Sequence, residues 1–132
     1  MRPSWFKTGF TLTEILVVVV IIAILATLSM PMLVKTIEKA KIGEAISNLN
    51  LIRTGQKIYF LEKNTFSSDI SRLNIEDPND PTNRYFEYSM PSSSGSDFTS
   101  RAQRRNNAPL PYSGYYYEID ENGTVTSNGP LL

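Results

Sequence analysis

The sequence predicts an α+β protein in which a long N-terminal α-helix packs on a small antiparallel β-sheet. Three observations support this fold class. An apolar run at residues 10–34 continues without a break into a pattern with helical spacing at residues 35–63. After residue 64, Ser, Asp, Asn and Pro become frequent, and short aromatic-rich stretches alternate with turn residues. The length of 132 residues allows one small domain beside the helix.

The apolar run is long enough to cross a membrane. Residues 15–26 are all apolar, and Glu14 is the only charged residue between positions 10 and 34. At about 1.5 Å per residue, this helix spans roughly 37 Å, which exceeds the roughly 30 Å hydrocarbon layer of a bilayer. Arg2 and Lys7 precede the run without an acidic residue, so the positive-inside rule predicts a cytoplasmic N-terminus.

Glu14 needs a physical reason, because an unpaired carboxylate in hydrocarbon costs several kcal/mol. Two interpretations remain open. Cleavage between Gly9 and Phe10 would create an α-amine on Phe10, one helical turn from the carboxylate. Alternatively, Glu14 caps its own helix, whose first turn carries unpaired N–H groups and a partial positive charge.

The sequence KTGFTLTE at residues 7–14, followed by the apolar run, resembles the class III signal of type IV pilins and pseudopilins. The resemblance covers about residues 1–60. It implies that a membrane aspartyl protease, prepilin peptidase, cuts after Gly9, removes the basic leader 1–9 and methylates Phe10. Glu14 falls on the glutamate position of that family, and Pro31 falls where the family commonly has a proline.

The resemblance implies a structural subunit of a type IV pilus or pseudopilus, and not an enzyme. The precursor would be a single-pass inner-membrane protein, which then polymerises through its N-terminal helix with further copies or other pilin subunits into an extracytoplasmic filament. Glu14 would meet the Phe10 amine of a neighbouring subunit. Near Pro31 the helix would bend or unwind, although a simple kink is an equal alternative. A different interpretation is a monomeric, signal-anchored extracytoplasmic binding module, which would keep residues 1–9.

The composition restricts the chemistry of the chain. It contains neither histidine nor cysteine, so the usual metal ligands, thiol nucleophiles and disulfides are excluded. We therefore predict no catalytic residue, no metal and no cofactor. Loss of Arg2 and Lys7 with the leader would leave 11 of the 13 basic side chains against 13 acidic ones, which gives no general attraction to nucleic acid.

The second half of the helix, residues 35–63, is amphipathic and carries an apolar stripe for the head domain. We expect it to end near Lys63, with Asn64 as the stop. The stripe has helical spacing, with most members three or four positions from another: Val34, Ile37, Ile42, Ala45, Ile46, Leu49 and Ile52.

The head, residues 64–132, is predicted to contain four antiparallel strands near 85–90, 97–104, 114–119 and 124–127. Pro91 is expected to end the first strand. A three-residue loop at 121–123 sets Ile119 opposite Val125 and requires Gly123 in the left-handed region, whereas a two-residue loop would spoil the burial pattern.

Two groups of charged residues in the head have a functional interpretation beside a solvated one. The acids of the connecting loop could bind calcium, but they lack the ligand spacing of an EF-hand, and solvation is preferred. These acids are Asp69, Glu76, Asp77 and Asp80. A small basic patch could contact DNA weakly or meet acids of a neighbouring subunit. Its members are Arg101, Arg104 and Arg105.

Overall fold

The computed structural model describes residue 1, residues 9–82 and residues 85–131. In chain order these contain α1 (Leu12–Lys63), a 3-10 turn (Ile70–Arg72), β1 (Phe86–Ser93), β2 (Phe98–Arg104), β3 (Tyr116–Asp120) and β4 (Val125–Ser127). The chain divides into two compact units: an N-terminal unit, Met1–Ile37, and a head unit, Glu38–Leu132. Arg2 and Lys7, whose charges predict a cytoplasmic N-terminus, lie outside the described residues.

The C-terminal end of α1 lies where the sequence predicts it. The last helical residue is Lys63, and Asn64 follows with a φ angle of 57°. Asn64 donates its N–H to the Phe60 carbonyl at 2.8 Å, which satisfies one of the last carbonyl groups of the helix. Asparagine tolerates this left-handed backbone better than most residues, so it ends the helix here.

The head core forms between one face of α1 and the inner face of the sheet. The helix contributes buried residues spaced three or four apart: Glu38, Ile42, Ala45, Leu49, Ile52, Gly55 and Gln56. The sheet contributes alternate residues of its first three strands: Phe86, Tyr88, Phe98, Ser100, Ala102, Arg104, Tyr117 and Ile119. The predicted stripe is therefore correct from Ile42 onward but wrong at its start, because Val34 and Ile37 are exposed and burial begins at Glu38.

The four strands form one antiparallel sheet in the order β1-β2-β3-β4. Ala102 lies between two aromatic residues, paired with Tyr88 on β1 and with Tyr117 on β3. All three are buried, and the small central side chain leaves room for the two rings. The predicted strand number and direction are confirmed, while the strand bounds differ from the predicted ones by at most three residues.

Pro91 does not end β1, contrary to the prediction. The strand continues to Ser93, with an irregular register between Ser89 and Ser92. β1 is an edge strand and pairs with β2 only, so it tolerates a residue without an N–H at a bulge. The proline thus distorts the strand and does not terminate it.

The hairpin between β3 and β4 has the predicted three-residue loop. Ile119 pairs with Val125, the Asp120 N–H donates to the Thr124 carbonyl at 3.3 Å, and Gly123 has a φ angle of 91°. The loop is also attached to α1. The Arg53 guanidinium donates to the carbonyl oxygen of Glu121 at 3.1 Å and of Asn122 at 3.0 Å.

Two amide side chains each bond both the N–H and the C=O of one backbone residue. Buried Gln56 accepts the Ser67 N–H at 2.9 Å and donates to the Ser67 carbonyl at 2.7 Å. Asn79 makes the same pair of bonds with the backbone of Tyr88, both at 2.8 Å. The connecting loop is thereby fixed to the helix at one point and to the edge of β1 at another.

Gly55 marks a close approach between α1 and the connecting loop. A Cβ atom at this position would lie 2.8 Å from Ile75 Cγ2 and 3.2 Å from Leu73 Cβ. Helix propensity alone would make Gly55→Ala stabilising by about 1 kcal/mol, whereas overpacking costs about 1–3 kcal/mol. We expect Gly55→Ala to lower the free energy of unfolding by about 1 kcal/mol.

The measurement is thermal unfolding of the full chain in detergent micelles, followed by the near-ultraviolet circular dichroism of the tyrosines. The melting temperature should fall by several degrees. Ser47→Ala, at an exposed position of the same helix, is the control and should leave it unchanged or slightly higher. A Gly55→Ala protein as stable as this control would contradict the close approach.

Candidate assembly segment

The N-terminal end of α1 is closed by a reciprocal capping box between Thr11 and Glu14. The Thr11 N–H donates to Glu14 Oε2 at 2.8 Å, and the Thr11 hydroxyl donates to the same oxygen at 3.0 Å. In return, the Glu14 N–H donates to Thr11 Oγ1 at 3.2 Å. This geometry supports the capping interpretation of Glu14. Among the described residues, Oε1 of Glu14 accepts no hydrogen bond and is available to a further donor.

The apolar segment of α1 is exposed in the part of the chain that the structure describes. Its large apolar residues range from 37% exposed at Val34 to 92% at Leu12. By length and composition this helix could cross a membrane, with a mean hydropathy of 2.8 in its most apolar window. So large an apolar surface is not stable in water, so the segment requires lipid or other apolar helices around it.

The hydroxyl groups within the segment are bonded to their own helix. Thr27 Oγ1 donates to the Ile24 carbonyl at 2.7 Å, and Ser29 Oγ donates to the Leu25 carbonyl at 2.9 Å. These bonds matter in an apolar environment, where an unpaired hydroxyl is costly. The segment can therefore leave or enter lipid without exposing a free hydroxyl donor at these positions.

Pro31 lies inside α1, and the helix continues on both sides of it. Because proline has no N–H, the Thr27 carbonyl lacks its normal partner four residues later. The helix therefore lacks one backbone hydrogen bond at this point. Bending or unwinding at Pro31 during assembly stays a prediction.

A buried ion pair begins the head unit. Arg104 Nε lies 3.1 Å from Glu38 Oε2, and Arg104 Nη2 lies 3.2 Å from Oε1. The two side chains are 3% and 2% exposed. Lys41 Nζ also reaches Glu38 Oε1 at 2.8 Å, while Arg104 Nη1 donates to the Tyr85 carbonyl at 2.8 Å. A bidentate pair with further hydrogen bonds is the arrangement that offsets the desolvation of buried charges.

This pair corrects the interpretation of the three arginines as a basic patch. Arg104 is buried because strand alternation places it on the inner face with Phe98, Ser100 and Ala102. Arg101 instead lies on the outer face, where its Nη2 is 2.7 Å from Glu118 Oε1. Both arginines meet acids of their own chain, and Arg104 does not belong to an exposed patch. A weak DNA contact through Arg101 and Arg105 stays a prediction.

The acids of the connecting loop bind their own backbone. Asp69 accepts the N–H and hydroxyl of Ser71 at 2.9 and 2.8 Å, and Asp80 accepts the Thr82 N–H at 2.8 Å. Hydrogen bonds from these partners hold the pKa of Asp69 and of Asp80 below the ordinary value. No group of three or more acids able to hold a metal ion occurs in the part of the chain that the structure describes.

The surroundings of two buried groups shift their pKa in opposite directions. Burial would raise the pKa of Glu38, but hydrogen bonds and charges from Arg104 and Lys41 outweigh it, so the pKa lies below its ordinary value. Burial, followed by the influence of Tyr115 and Glu38, raises the pKa of Tyr117 to about 12. Glu38 is therefore ionised and Tyr117 neutral at pH 7.

The buried ion pair was missed by sequence reasoning, although each half leaves a signal. Glu38 precedes Ile42, Ala45 and Leu49 at helical spacing, and Arg104 continues the alternation of β2. The spacing predicts that both Glu38 and Arg104 face the core, but a single charged residue at such a position is more often solvated. Only the two elements together place the opposite charges in contact.

The comparisons with known proteins agree with these features. The family described as type IV pilin-like G and H matches residues 43–129, which is more than half of the chain. The chain belongs to the type IV pilin-like family. The prokaryotic N-terminal methylation motif also matches this pilin-like chain, at residues 7–30.

Relatives of this pilin-like protein come from two systems. It is 43% identical to the type IV major pilin protein PilA of Myxococcus xanthus over 70 residues, which cover 51% of this chain and 32% of PilA. It is 40% identical to the type II secretion system core protein G of Pectobacterium carotovorum over 67 residues, 51% of this chain and 43% of that protein. The matches thus span less than half of the length of these two relatives.

A solved structure supports the fold. The crystal structure of the non-core minor pilin PilV of Neisseria meningitidis superposes with a TM-score of 0.57. The match covers 74% of this chain and 92% of the PilV chain at 18% sequence identity. The pilin-like arrangement of one long helix and an antiparallel sheet is therefore confirmed.

The lowered pKa of Glu38 predicts how the head responds to acid. The pKa of Glu38 is lower in the folded head than its value of 4.5 in an unfolded chain. Ionised Glu38 therefore stabilises the folded head fully above pH 4.5, and this stabilisation is lost as the pH falls through the lower pKa of the folded state. Glu38→Gln leaves Arg104 buried without its counter-charge and should cost about 3–5 kcal/mol at pH 7. The difference from the unchanged protein should shrink below pH 4.5, which urea unfolding at pH 7 and pH 3 measures.

Glu118→Gln is the matched control for this prediction. It breaks the partly exposed pair with Arg101 and should cost less than about 1 kcal/mol at either pH. Equal losses of unfolding free energy from the two substitutions at pH 7 would show that the buried Glu38 pair stabilises the head no more than the partly exposed pair does.

Proposed function

We propose that the protein is a structural subunit of a type IV pilus or a type II secretion pseudopilus. It is made as a single-pass inner-membrane precursor, and prepilin peptidase cuts it after Gly9 and methylates Phe10. The observation that carries this proposal is an apolar helix segment that is exposed among the described residues and that lies largely within a match to the N-terminal methylation motif, at residues 7–30. Membership in a family of structural pilins and pseudopilins supports the proposal and disfavours a monomeric binding module.

Processing changes the electrostatics at the start of the helix. Cleavage removes Arg2 and Lys7 and creates a cationic amine on Phe10, whose side chain is 82% exposed. Glu14 Oε2 is occupied by the capping box, whereas Oε1 can accept from an amine. The carboxylate can therefore cap its own helix in the membrane and also pair with the Phe10 amine of a neighbouring subunit, which compensates its charge in an apolar environment.

Assembly then replaces lipid by protein around the apolar segment. Both surroundings are apolar, so the transfer of the large side chains between Leu12 and Leu33 has a small free-energy difference. Packing between helices and the new charge pair supply the preference for the filament. No chemical step is needed after methylation.

Processing can be tested by the intact mass of the protein extracted from membranes of cells that contain prepilin peptidase. We expect a chain that starts at Phe10 and carries the mass of one added methyl group. Gly9→Val should keep the leader, because a branched side chain at the cleavage position excludes the backbone from the protease. An unchanged protein that retains residues 1–9 in these cells would favour the signal-anchored module.

The charge of Glu14 can be separated from its capping role by three substitutions. Glu14→Ala should insert into the membrane and be cut, but it should form few filaments. Glu14→Gln keeps an acceptor for the Thr11 N–H and hydroxyl but lacks the charge, so it should also fail to assemble. Thr11→Val weakens the cap by about 1 kcal/mol while it keeps the charge, so it should still assemble.

Filament yield is measured in the fraction sheared from cells, relative to the membrane-bound subunit. Normal yield from Glu14→Gln would restrict Glu14 to capping. Loss of yield from Thr11→Val, with normal yield from Glu14→Gln, would show that assembly needs the cap of the helix and not the charge of Glu14.

A further inference from the structure

The face of α1 opposite the head core carries apolar side chains that are exposed in the described part of the chain. Leu61 is 86% exposed, Ile58 46% and Leu51 37%. At about 100° per residue, Leu51 lies about 200° around the helix from buried Leu49. We call this surface the outward stripe and define it by five exposed residues: Ser47, Leu51, Thr54, Ile58 and Leu61.

The outward stripe has the spacing of a coiled-coil seam. Leu51 and Ile58 are seven positions apart, and Thr54 and Leu61 follow them at three positions. These residues therefore occupy the a and d positions of successive heptads, which face a partner helix. In the same numbering Lys57 holds a g position and Glu62 an e position, on the two flanks of the seam.

Lys57 and Glu62 have no opposite charge within reach on their own helix. No acidic residue stands three or four positions from Lys57, and no basic residue stands three or four positions from Glu62. Both side chains are exposed, and the ion pairs among the described residues include neither of them. Their charges are complementary across a pair of helices and not within one.

The relative orientation of such a pair follows from the charges. In a parallel, in-register pair, a g residue lies beside the e residue five positions further along the other helix. Lys57 and Glu62 are five positions apart, so two copies would form this contact twice. An antiparallel pair would instead bring like charges together. The charge pattern therefore fits a second copy of this chain in the same direction.

We propose that two membrane-anchored copies pair in parallel and in register through the outward stripe, with Lys57 of each copy against Glu62 of the other. This inference rests on the membrane stage proposed above, in which the apolar segments hold both copies at the same depth. Confinement to one membrane raises their effective concentration, so a short seam is sufficient. The two ion pairs select orientation and register more than they add affinity.

The register is tested by disulfide cross-linking, for which the absence of cysteine makes single variants unambiguous. Ser47→Cys and Thr54→Cys are placed separately in the full chain. Membranes come from cells that contain prepilin peptidase but no filament assembly machinery, and they are oxidised with copper phenanthroline. We expect both variants to form disulfide dimers, because only an in-register pair brings each residue to its own copy. Ser96→Cys, exposed between β1 and β2, is the control for random collision.

The charge contact is tested by reversal and restoration in the Thr54→Cys protein. Lys57→Glu should lower the cross-linked fraction about fivefold, because two exposed ion pairs become repulsive. Adding Glu62→Lys should restore it, since opposite charges face each other again. Arg72→Glu makes the same change in charge at an exposed position outside the stripe and should leave the fraction unchanged.

Cross-linking at positions 47 and 54 no higher than at position 96 would overturn the pairing. Failure of Glu62→Lys to restore it would do the same. Membrane extraction and gel mobility of the same samples report insertion and leader cleavage. A chain that is inserted and cut but not cross-linked refutes the pairing alone, whereas a chain that is neither inserted nor cut refutes the proposed function and the pairing with it.

Discussion

The head depends on a change in the character of α1, which is apolar before Glu38 and amphipathic after it. The four strands present one apolar face, and a sheet of this size is marginal without a partner layer. Residues from Ile42 to Gln56 supply that layer, and several of them, Ala45, Leu49 and Ile52 included, have no exposed surface. The helix is therefore one of the two layers of the head core as well as the proposed membrane anchor.

The buried pair of Glu38 and Arg104 fixes where this core begins. Burial of two charges is costly, and their contact offsets the cost only when the geometry is good and the remaining donors are bonded. Arg104 meets this condition through both Glu38 oxygens, the Tyr85 carbonyl and Asn107 Oδ1. An apolar pair of similar size could be as stable. The ion pair adds a directional contact between α1 and β2.

Amide side chains give the same kind of specificity to the backbone. Gln56, Asn79 and Asn128 each bond the main chain of a residue distant in sequence, namely Ser67, Tyr88 and Tyr116. In a chain without disulfides, these bonds fix the connecting loop and the end of the sheet. The bond at Tyr88 also occupies backbone groups on the free edge of β1, which would otherwise be open to another strand.

The sequence by itself determined the features that depend on neighbours along the chain. Hydropathy and spacing gave the length of α1, Asn64 gave its end, and the loop before Thr124 gave the register of Ile119 with Val125. The capping box of Thr11 and Glu14 is equally local, because both partners lie within one helical turn. Tertiary structure decided the features that need two distant elements. Arg104 resembles a surface charge until β2 is placed on α1, and Pro91 resembles a strand end until β1 is known to be an edge. The physical reason is that burial and strand position are properties of the packed layers, which no local pattern of residues contains.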